Sequence, residues 1–277
     1  MKVGVKLHQL GASWNELQLA WAEAEESGFS SIWVFDHFIP RQSGQECMEA
    51  WSLLTALATL TSTPRIGVLV TCAGYRHPAV LANVAGTVDQ ISRGRLDIGL
   101  GAGSKFAGTD LRAFGMDFPP LSRRIEQLDE ACQILSGVWL EDQFKFNGKV
   151  YELRDVRSGA RPVQAPHPPI IVGGGSSGVL EVAARHASEW NYSTTVPKDF
   201  AEKSSKLDET CRKLGRSPGS ISKSVQVFLK VVEEGSLVDL LKEFEDLGAG
   251  RAILIPDPPY TKGKVEAIAD QVLPHFT

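Results

Sequence analysis

The chain alternates short buried strands with amphipathic helices. Residues 32–35 form a continuous apolar run of β-favouring residues, as in a strand buried on both faces of a parallel sheet. Apolar residues at helical spacing then follow at Trp51, Leu54, Leu57 and Leu60. The same alternation predicts eight strands, at residues 3–7, 32–35, 66–71, 96–100, 170–172, 190–192, 225–231 and 252–255.

This repeat predicts the α/β class, as a single (β/α)8 TIM-barrel domain over residues 1–277. An open, doubly wound sheet is the alternative, because periodicity does not reveal closure. The repeat is interrupted at residues 141–168. There Phe144 to Tyr151 is typical of a hairpin with Asn147-Gly148 as its turn, and a proline-rich return follows. We interpret this segment as a hairpin-containing insertion before the fifth strand.

Composition narrows the function classes. The net charge of −4 gives no general attraction to nucleic acid or anionic membranes. The four cysteines contain no C-x-x-C and the six histidines no metal-binding spacing, so we expect neither metal nor disulfides. Strand-like sequence follows Met1 directly, and no long apolar span occurs. We therefore expect a cytoplasmic protein without a membrane partner.

Two titratable residues, Asp36 and His37, end the second predicted strand. In a (β/α)8 barrel, the carboxyl ends of the strands carry the chemistry. Histidine has a pKa near neutrality and can act there as a general acid or base. The alternative is that both residues only satisfy a loop by hydrogen bonding.

Two glycine-rich segments follow later strands. Gly99 to Gly103 is G-x-G-x-G rather than the dinucleotide pattern, but it would let a planar ring approach the backbone. Gly173 to Gly178 could hold phosphate on backbone N–H groups. It also matches G-x-S-x-G at Ser176, with Asp257 and His275 downstream in the order of a hydrolase triad. Close packing is the alternative for the first segment, and a serine hydrolase is the third functional hypothesis.

Together these segments resemble the bacterial luciferase-like superfamily, and more closely its coenzyme F-420-dependent oxidoreductases. The resemblance rests on Asp36-His37-Phe38, Thr71 with Tyr75-Arg-His-Pro-Ala79, Ser92 to Gly103, Pro162-Val163, Pro169 to Gly175 and Glu189-Trp-Asn191. It implies a TIM barrel that binds its cofactor at the C-terminal mouth, with an insertion near the fifth strand.

The resemblance also implies roles for individual residues. His37 would be the proton donor or acceptor, and Asp36 would contact the polar edge of the deazaflavin. Leu69, Val70 and Thr71 would back the ring, through a bulge or a non-proline cis peptide. The remaining cofactor residues would be Gly101, Gly103, Gly174, Gly175 and Ser176, and the substrate-side candidates are His8, Ser104 and Trp190.

The function implied is hydride transfer between coenzyme F-420 and a small organic substrate. We expect Arg76, Lys105 and Arg112 to meet the acidic tail of F-420. Ser104 stands where the family's glucose-6-phosphate dehydrogenases have Glu, which speaks against the sugar-phosphate reaction. The alternative is a monooxygenase of the same fold that uses FMN, reduced by a separate reductase. A homodimer is also left open.

Overall fold

The computed structural model describes residues 1–157, 159–233 and 235–276. Its strands, in chain order, are β1 (Lys2–Lys6), β2 (Ser31–Val34), β3 (Arg65–Cys72), β4 (Leu96–Gly101), β5 (Phe144–Asn147), β6 (Glu152–Val156), β7 (Ile170–Gly173), β8 (Glu189–Ser193), β9 (Ser222–Phe228) and β10 (Arg251–Ile255). Eight of these strands form a closed parallel barrel in the order β1-β10-β9-β8-β7-β4-β3-β2. The predicted TIM barrel is confirmed, and the open sheet is wrong.

Helices surround this barrel. They are α1 (Trp14–Glu26), α2 (Ala50–Leu60), α3 (Pro78–Ile91), α4 (Lys105–Ala113), α5 (Leu121–Leu140), α6 (Ser177–His186), α7 (Pro197–Lys213), α8 (Leu237–Asp246) and α9 (Lys264–Val272). Local sequence explains their starts: Ser13 and Glu16 form a capping box at α1, and Pro78 opens α3. The sequence analysis missed α4, the short helix that follows β4.

The predicted insertion is present as the antiparallel hairpin of β5 and β6. Its turn is longer than predicted, because Asn147 pairs with Glu152 and the N–H of Gly148 donates to the carbonyl of Tyr151 at 2.9 Å. The Phe144 ring fastens the hairpin to α5, where a Cβ on Gly137 would lie 2.0 Å from that ring.

One predicted strand is too long. β9 ends at Phe228, and Leu229–Val231 form a 3-10 turn instead of extending the strand to residue 231. Alternating apolar residues continue through this turn, so the pattern alone gives no stop. Across the described residues, no helix combines the length and apolarity needed to cross a membrane.

Charged residues close the amino-terminal end of the barrel. Asp97 on β4 is 1% exposed and accepts from Arg65 Nε at 2.8 Å and from Arg251 Nη1 at 2.9 Å. Arg251 also lies 3.5 Å from Glu189 on β8. These ion pairs join β3, β4, β8 and β10 at the end of the barrel opposite the strand termini that carry the predicted chemistry.

We predict that Asp97→Asn destabilises the protein by about 3 kcal/mol, because it leaves two buried or partly buried guanidinium groups without their shared carboxylate. Urea unfolding measures the change. The matched control is Asp155→Asn on the exposed face of β6, which should change the free energy of unfolding by less than about 0.5 kcal/mol. If Asp97→Asn lowers the free energy of unfolding by less than about 1 kcal/mol, the ion-pair cluster does not stabilise the barrel as predicted.

Candidate active site

A cavity of about 840 Å³ opens at the carboxyl ends of the barrel strands. Its size is typical of a small-molecule or cofactor site. The lining includes eleven residues predicted from the sequence: His8, Asp36, His37, Leu69, Val70, Gly101, Gly103, Ser104, Gly174, Gly175 and Ser176. Thr71 and Trp190 are not among the lining residues. The closed barrel therefore brings together segments that lie up to 168 residues apart (176 minus 8).

His37 follows β2 and is held from one side by a carboxylate. Its Nδ1 lies 2.7 Å from Oδ2 of Asp110, a residue of α4 that is only 3% exposed. The Tyr75 hydroxyl donates to the same oxygen at 2.5 Å. Because α4 starts directly after β4, its first turns place Asp110 beside the strand end that carries His37.

The other ring nitrogen fixes the tautomer of His37. Nη2 of Arg41 lies 3.2 Å from His37 Nε2. A guanidinium can only donate, so Nε2 accepts and the ring proton is on Nδ1, where it donates to Asp110. Burial lowers the pKa of His37 below its ordinary value, and the Asp110 hydrogen bond opposes this. The imidazole is thus neutral at pH 7, and the lone pair of Nε2 can accept a proton once a ligand replaces Arg41 there.

Asp36 is bound from behind by an arginine. Its carboxylate is 2% exposed and accepts from Arg76 Nη1 at 2.6 Å and from Arg76 Nη2 at 3.1 Å. Burial raises the pKa of Asp36, while Arg76 opposes that rise. Arg76 also pairs with Glu49 at the start of α2. It is therefore engaged within the protein rather than free to meet the tail of a cofactor.

The wall between β3 and β7 is built from backbone and small residues. Leu69-Val70 is a cis peptide, and the register between β3 and β4 shifts from Val68 to Thr71. Val70 then fills the space beside Gly101, where a Cβ would lie 2.7 Å from the Val70 side chain. A Cβ on Gly103 would meet Cys72 Sγ at the same distance. Glycine is thus required at both positions for this wall to pack.

The turn from β7 into α6 forms the opposite wall. Gly174 has φ +130°, a conformation that side chains rarely adopt, and a Cβ on Gly175 would lie 2.6 Å from the Tyr192 ring. Ser176 is the N-cap of α6 but makes no side-chain capping hydrogen bond. The first amides of α6 therefore lack a local acceptor and are suited to an anion.

Three predicted residues have packing or capping roles, and of these Ser104 also lines the cavity. Trp190 is fully buried, donates from Nε1 to the Gly174 carbonyl at 2.8 Å and stacks on Phe200. Its assignment to the substrate side is thus corrected: it packs behind the glycine turn. Thr71 is also fully buried and accepts from Trp51 Nε1 at 3.1 Å. Ser104 is the N-cap of α4 and accepts from the Phe106 N–H.

His8 lies on the β1 side of the cavity. Burial lowers its pKa to about 4, although Asp257, at 3.5 Å, opposes this. Its Nδ1 is buried with no hydrogen-bond partner among the residues that the structure describes. His8 thus lines the cavity as an uncharged side chain.

The hydrolase triad is not assembled. Ser176 lies at the carboxyl end of the barrel, where β7 leads into α6. His275 follows α9, which runs back from that end after β10, so the imidazole lies at the amino end. The order of the three residues along the chain matched a triad by chance.

Comparison with known proteins identifies the family. A profile described as luciferase-like monooxygenase matches residues 1–236. The chain belongs to this family. A coenzyme F-420-dependent glucose-6-phosphate dehydrogenase from Amycolatopsis mediterranei is 33% identical over 177 residues, which cover 63% of this chain and 52% of that protein. The chain thus spans about half the length of that relative.

Solved structures share the fold over the whole chain. An F-420-dependent secondary alcohol dehydrogenase, in complex with an F-420-acetone adduct, has a TM-score of 0.88 at 16% identity, covering 100% of this chain and 99% of that one. A monooxygenase from Streptomyces bottropensis has a TM-score of 0.78 at 18% identity, with 100% of both chains covered. At these identities, the likeness shows the fold alone.

Sequence reasoning missed Asp110 because it missed α4. The signal was present: Ser104 is a good N-cap, and the buried residues Ala107, Asp110 and Leu111 have helical spacing. It also missed Lys6 and Arg41, two basic residues of the cavity lining. Neither position has a local pattern that indicates it faces a site. For the described residues, no group of three metal-ligating side chains occurs.

We predict that Asp110→Asn lowers the pKa of His37 further, because it removes the carboxylate that favours the imidazolium. NMR titration of the His37 ring in the protein without added ligand measures this. Asp129→Asn is the matched control, since Asp129 pairs with His186 on the surface at 3.0 Å and should leave His37 unaffected. An unchanged or raised His37 pKa in Asp110→Asn would contradict the assigned pairing.

Proposed function

We propose that this family member is a coenzyme F-420-dependent oxidoreductase, in which His37 Nε2 accepts or returns the proton that accompanies hydride transfer. The observation that carries the proposal is the neutral His37, whose Nδ1–H is fixed by Asp110 and whose Nε2 faces a glycine-walled cavity. The F-420-dependent relative supports the choice of cofactor.

The residues present fit a flat, anionic cofactor. Gly101 and Gly103 leave the β4 side free of side chains, and Leu69 and Val70 supply an apolar surface between them and His37. Across the cavity, the first N–H groups of α6, which receive no side-chain cap from Ser176, can donate to a phosphate held beside Gly174 and Gly175. Asp36 would then lie near the polar edge of the ring system, held in place by Arg76.

When bound, F-420 supplies the carbon that accepts or donates the hydride. The protein supplies the proton acceptor: a substrate hydroxyl within hydrogen-bond distance of His37 Nε2 can transfer its proton as the hydride leaves. Asp110 stabilises the imidazolium that results and keeps the ring from rotating. Reduction of a carbonyl uses the same groups in reverse. Lys6, buried beneath Phe35 with its amine 4.3 Å from the ring centroid, supports the cavity floor.

A flavin-dependent monooxygenase is the second candidate, favoured by the description of the family profile that matches residues 1–236, luciferase-like monooxygenase. It would use the same cavity for FMN reduced by a separate enzyme. His37 would then serve oxygen chemistry rather than an alcohol or a carbonyl. Cofactor preference separates the two functions.

We predict that F-420 binds at least tenfold more tightly than FMN, a difference of about 1.4 kcal/mol. Parallel fluorescence titrations of the purified protein with the two oxidised cofactors measure both dissociation constants. Tighter binding of FMN, with oxygen consumption that depends on substrate and reduced FMN, would replace the F-420 proposal with the monooxygenase.

We predict that His37→Asn lowers kcat by about two orders of magnitude or more, the typical contribution of a positioned acid or base. F-420 affinity should stay within a few-fold, because His37 acts on the proton. His275→Asn is the control, since His275 is exposed at the far end of the barrel. Near-normal turnover of His37→Asn would move the proton acceptor to His8 or to a bound water.

A further inference from the structure

Arg41 occupies an unusual position for a cation. Its guanidinium lies in the cavity lining, 3.2 Å from His37 Nε2 and 3.7 Å above the Phe106 ring. No carboxylate oxygen within the described parts of the chain lies within 4 Å of it, so its positive charge is not consumed by a direct ion pair.

The other charged groups of the cavity are already engaged. Lys6 has no carboxylate partner among the described residues, but it donates to the Leu69 carbonyl at 2.6 Å and to the Gln226 side chain. Asp36 is neutralised by Arg76, and Lys230 at the far rim pairs with Asp257 at 3.2 Å. Asp110 lies behind the imidazole, where His37 and Tyr75 use its Oδ2. Arg41 is therefore a free cation beside the group proposed to move the proton.

The function proposed above requires Arg41 to give up its present partner. His37 Nε2 can accept a substrate proton only if the substrate hydroxyl takes the place that Arg41 Nη2 now holds. Arg41 is an exposed residue of the cavity lining, so once displaced from Nε2 it remains a cation beside the bound substrate and can pair with an anionic group on it. A carboxylate bonded directly to the reacting carbon would lie next to the Arg41 guanidinium.

We propose that the substrate carries a carboxylate on the carbon that bears the reacting oxygen, so that it is a short 2-hydroxy acid or its 2-oxo counterpart. The planar fork of arginine matches a carboxylate with two parallel hydrogen bonds. This inference rests on the proposed function and names the substrate class for the same site.

The chemistry balances without another reactant. In oxidation, the carbinol C–H bond breaks and its electron pair leaves as hydride to the bound deazaflavin. The O–H bond breaks as well, its proton passes to His37 Nε2, and the C=O bond forms. Arg41 holds the carboxylate, which does not react.

The acidic tail of the cofactor is a poor alternative partner for Arg41. The phosphate-binding turn lies at the end of β7, three strands around the barrel from β2, which precedes Arg41. The tail extends beyond the phosphate, away from the ring, whereas Arg41 lies at the proton acceptor.

Isothermal titration calorimetry of a dead-end complex tests this without turnover. The protein is saturated anaerobically with reduced F-420 and titrated with 2-hydroxypropanoate or with its neutral amide, 2-hydroxypropanamide. The alcohol and the cofactor are both in the reduced state, so no hydride can move. We expect the acid to bind about tenfold or more tightly than the amide, as one charge-assisted hydrogen-bond pair would give.

Arg41 variants decide whether that residue causes the preference. In Arg41→Gln the ratio of the two affinities should fall to within about twofold, and Arg41→Lys should keep part of it, because lysine retains the charge but not the fork. Arg154→Gln, an exposed arginine of β6 outside the cavity, is the matched control and should keep the full ratio.

The outcomes separate the two proposals. If F-420 itself fails to bind in the preceding titration, the proposed function fails. If F-420 binds but the wild-type protein shows no preference for the acid, or binds neither compound, the substrate class is overturned. It is also overturned if Arg41→Gln keeps the preference for the acid. If Arg41→Gln instead weakens F-420 binding tenfold, Arg41 contacts the cofactor and the inference is also overturned.

Discussion

The pairing of β1 with β10 closes the sheet, and the site depends on this closure. Val3 pairs with Ala252 and Val5 with Leu254, while the other edge of β1 pairs with β2. Because all eight strands are parallel, closure turns every carboxyl end towards one rim. His8 and Asp257, which lie 249 residues apart in the chain (257 minus 8), are thereby 3.5 Å apart at that rim. An open sheet would leave β1 and β10 at separate edges.

Buried charged groups are paired differently at the two ends of the barrel. At the amino end, Asp97 meets both Arg65 and Arg251, so the charges satisfy one another and stabilise the closure. At the carboxyl end, the Asp36 carboxylate is similarly occupied by Arg76, but Nε2 of His37 is bonded to Arg41, an exposed side chain that a ligand can replace. At the amino end, the charged groups use their hydrogen bonds on one another. At the carboxyl end, Nε2 of His37 is an acceptor that a ligand can use.

Two opposing effects set the pKa of His37: burial and a neighbouring carboxylate. Burial disfavours the imidazolium, and Asp110 favours it, yet the pKa is lowered because burial is the larger effect. The positive charge of Arg41, which lies beside Nε2, also lowers the pKa of His37. The result is an oriented but uncharged imidazole, which is the form required of a base.

The helix α4 gives this family member its particular site. Its N-cap is Ser104, and its second turn supplies Asp110. The acidic group is thus behind His37 rather than at the mouth of the cavity. Arg41 stacks on Phe106 of the same helix, so one short element arranges both the proton acceptor and the cation beside it.

The sequence by itself determined the fold class, most strand positions and His37 as the acid/base candidate, because apolar periodicity and residues at strand ends are local properties. Only the tertiary structure decided how those residues are used. Asp110 is 73 residues from His37, and Arg76 is 40 residues from Asp36, so no local pattern encodes either pairing. The position of Trp190 was also decided by tertiary packing. Adjacent strand residues point to opposite sides of the sheet, and the Trp190 ring stacks on Phe200 of α7, away from the cavity. Hydrophobic spacing fixes which elements form, whereas side-chain pairing depends on how closure places their ends.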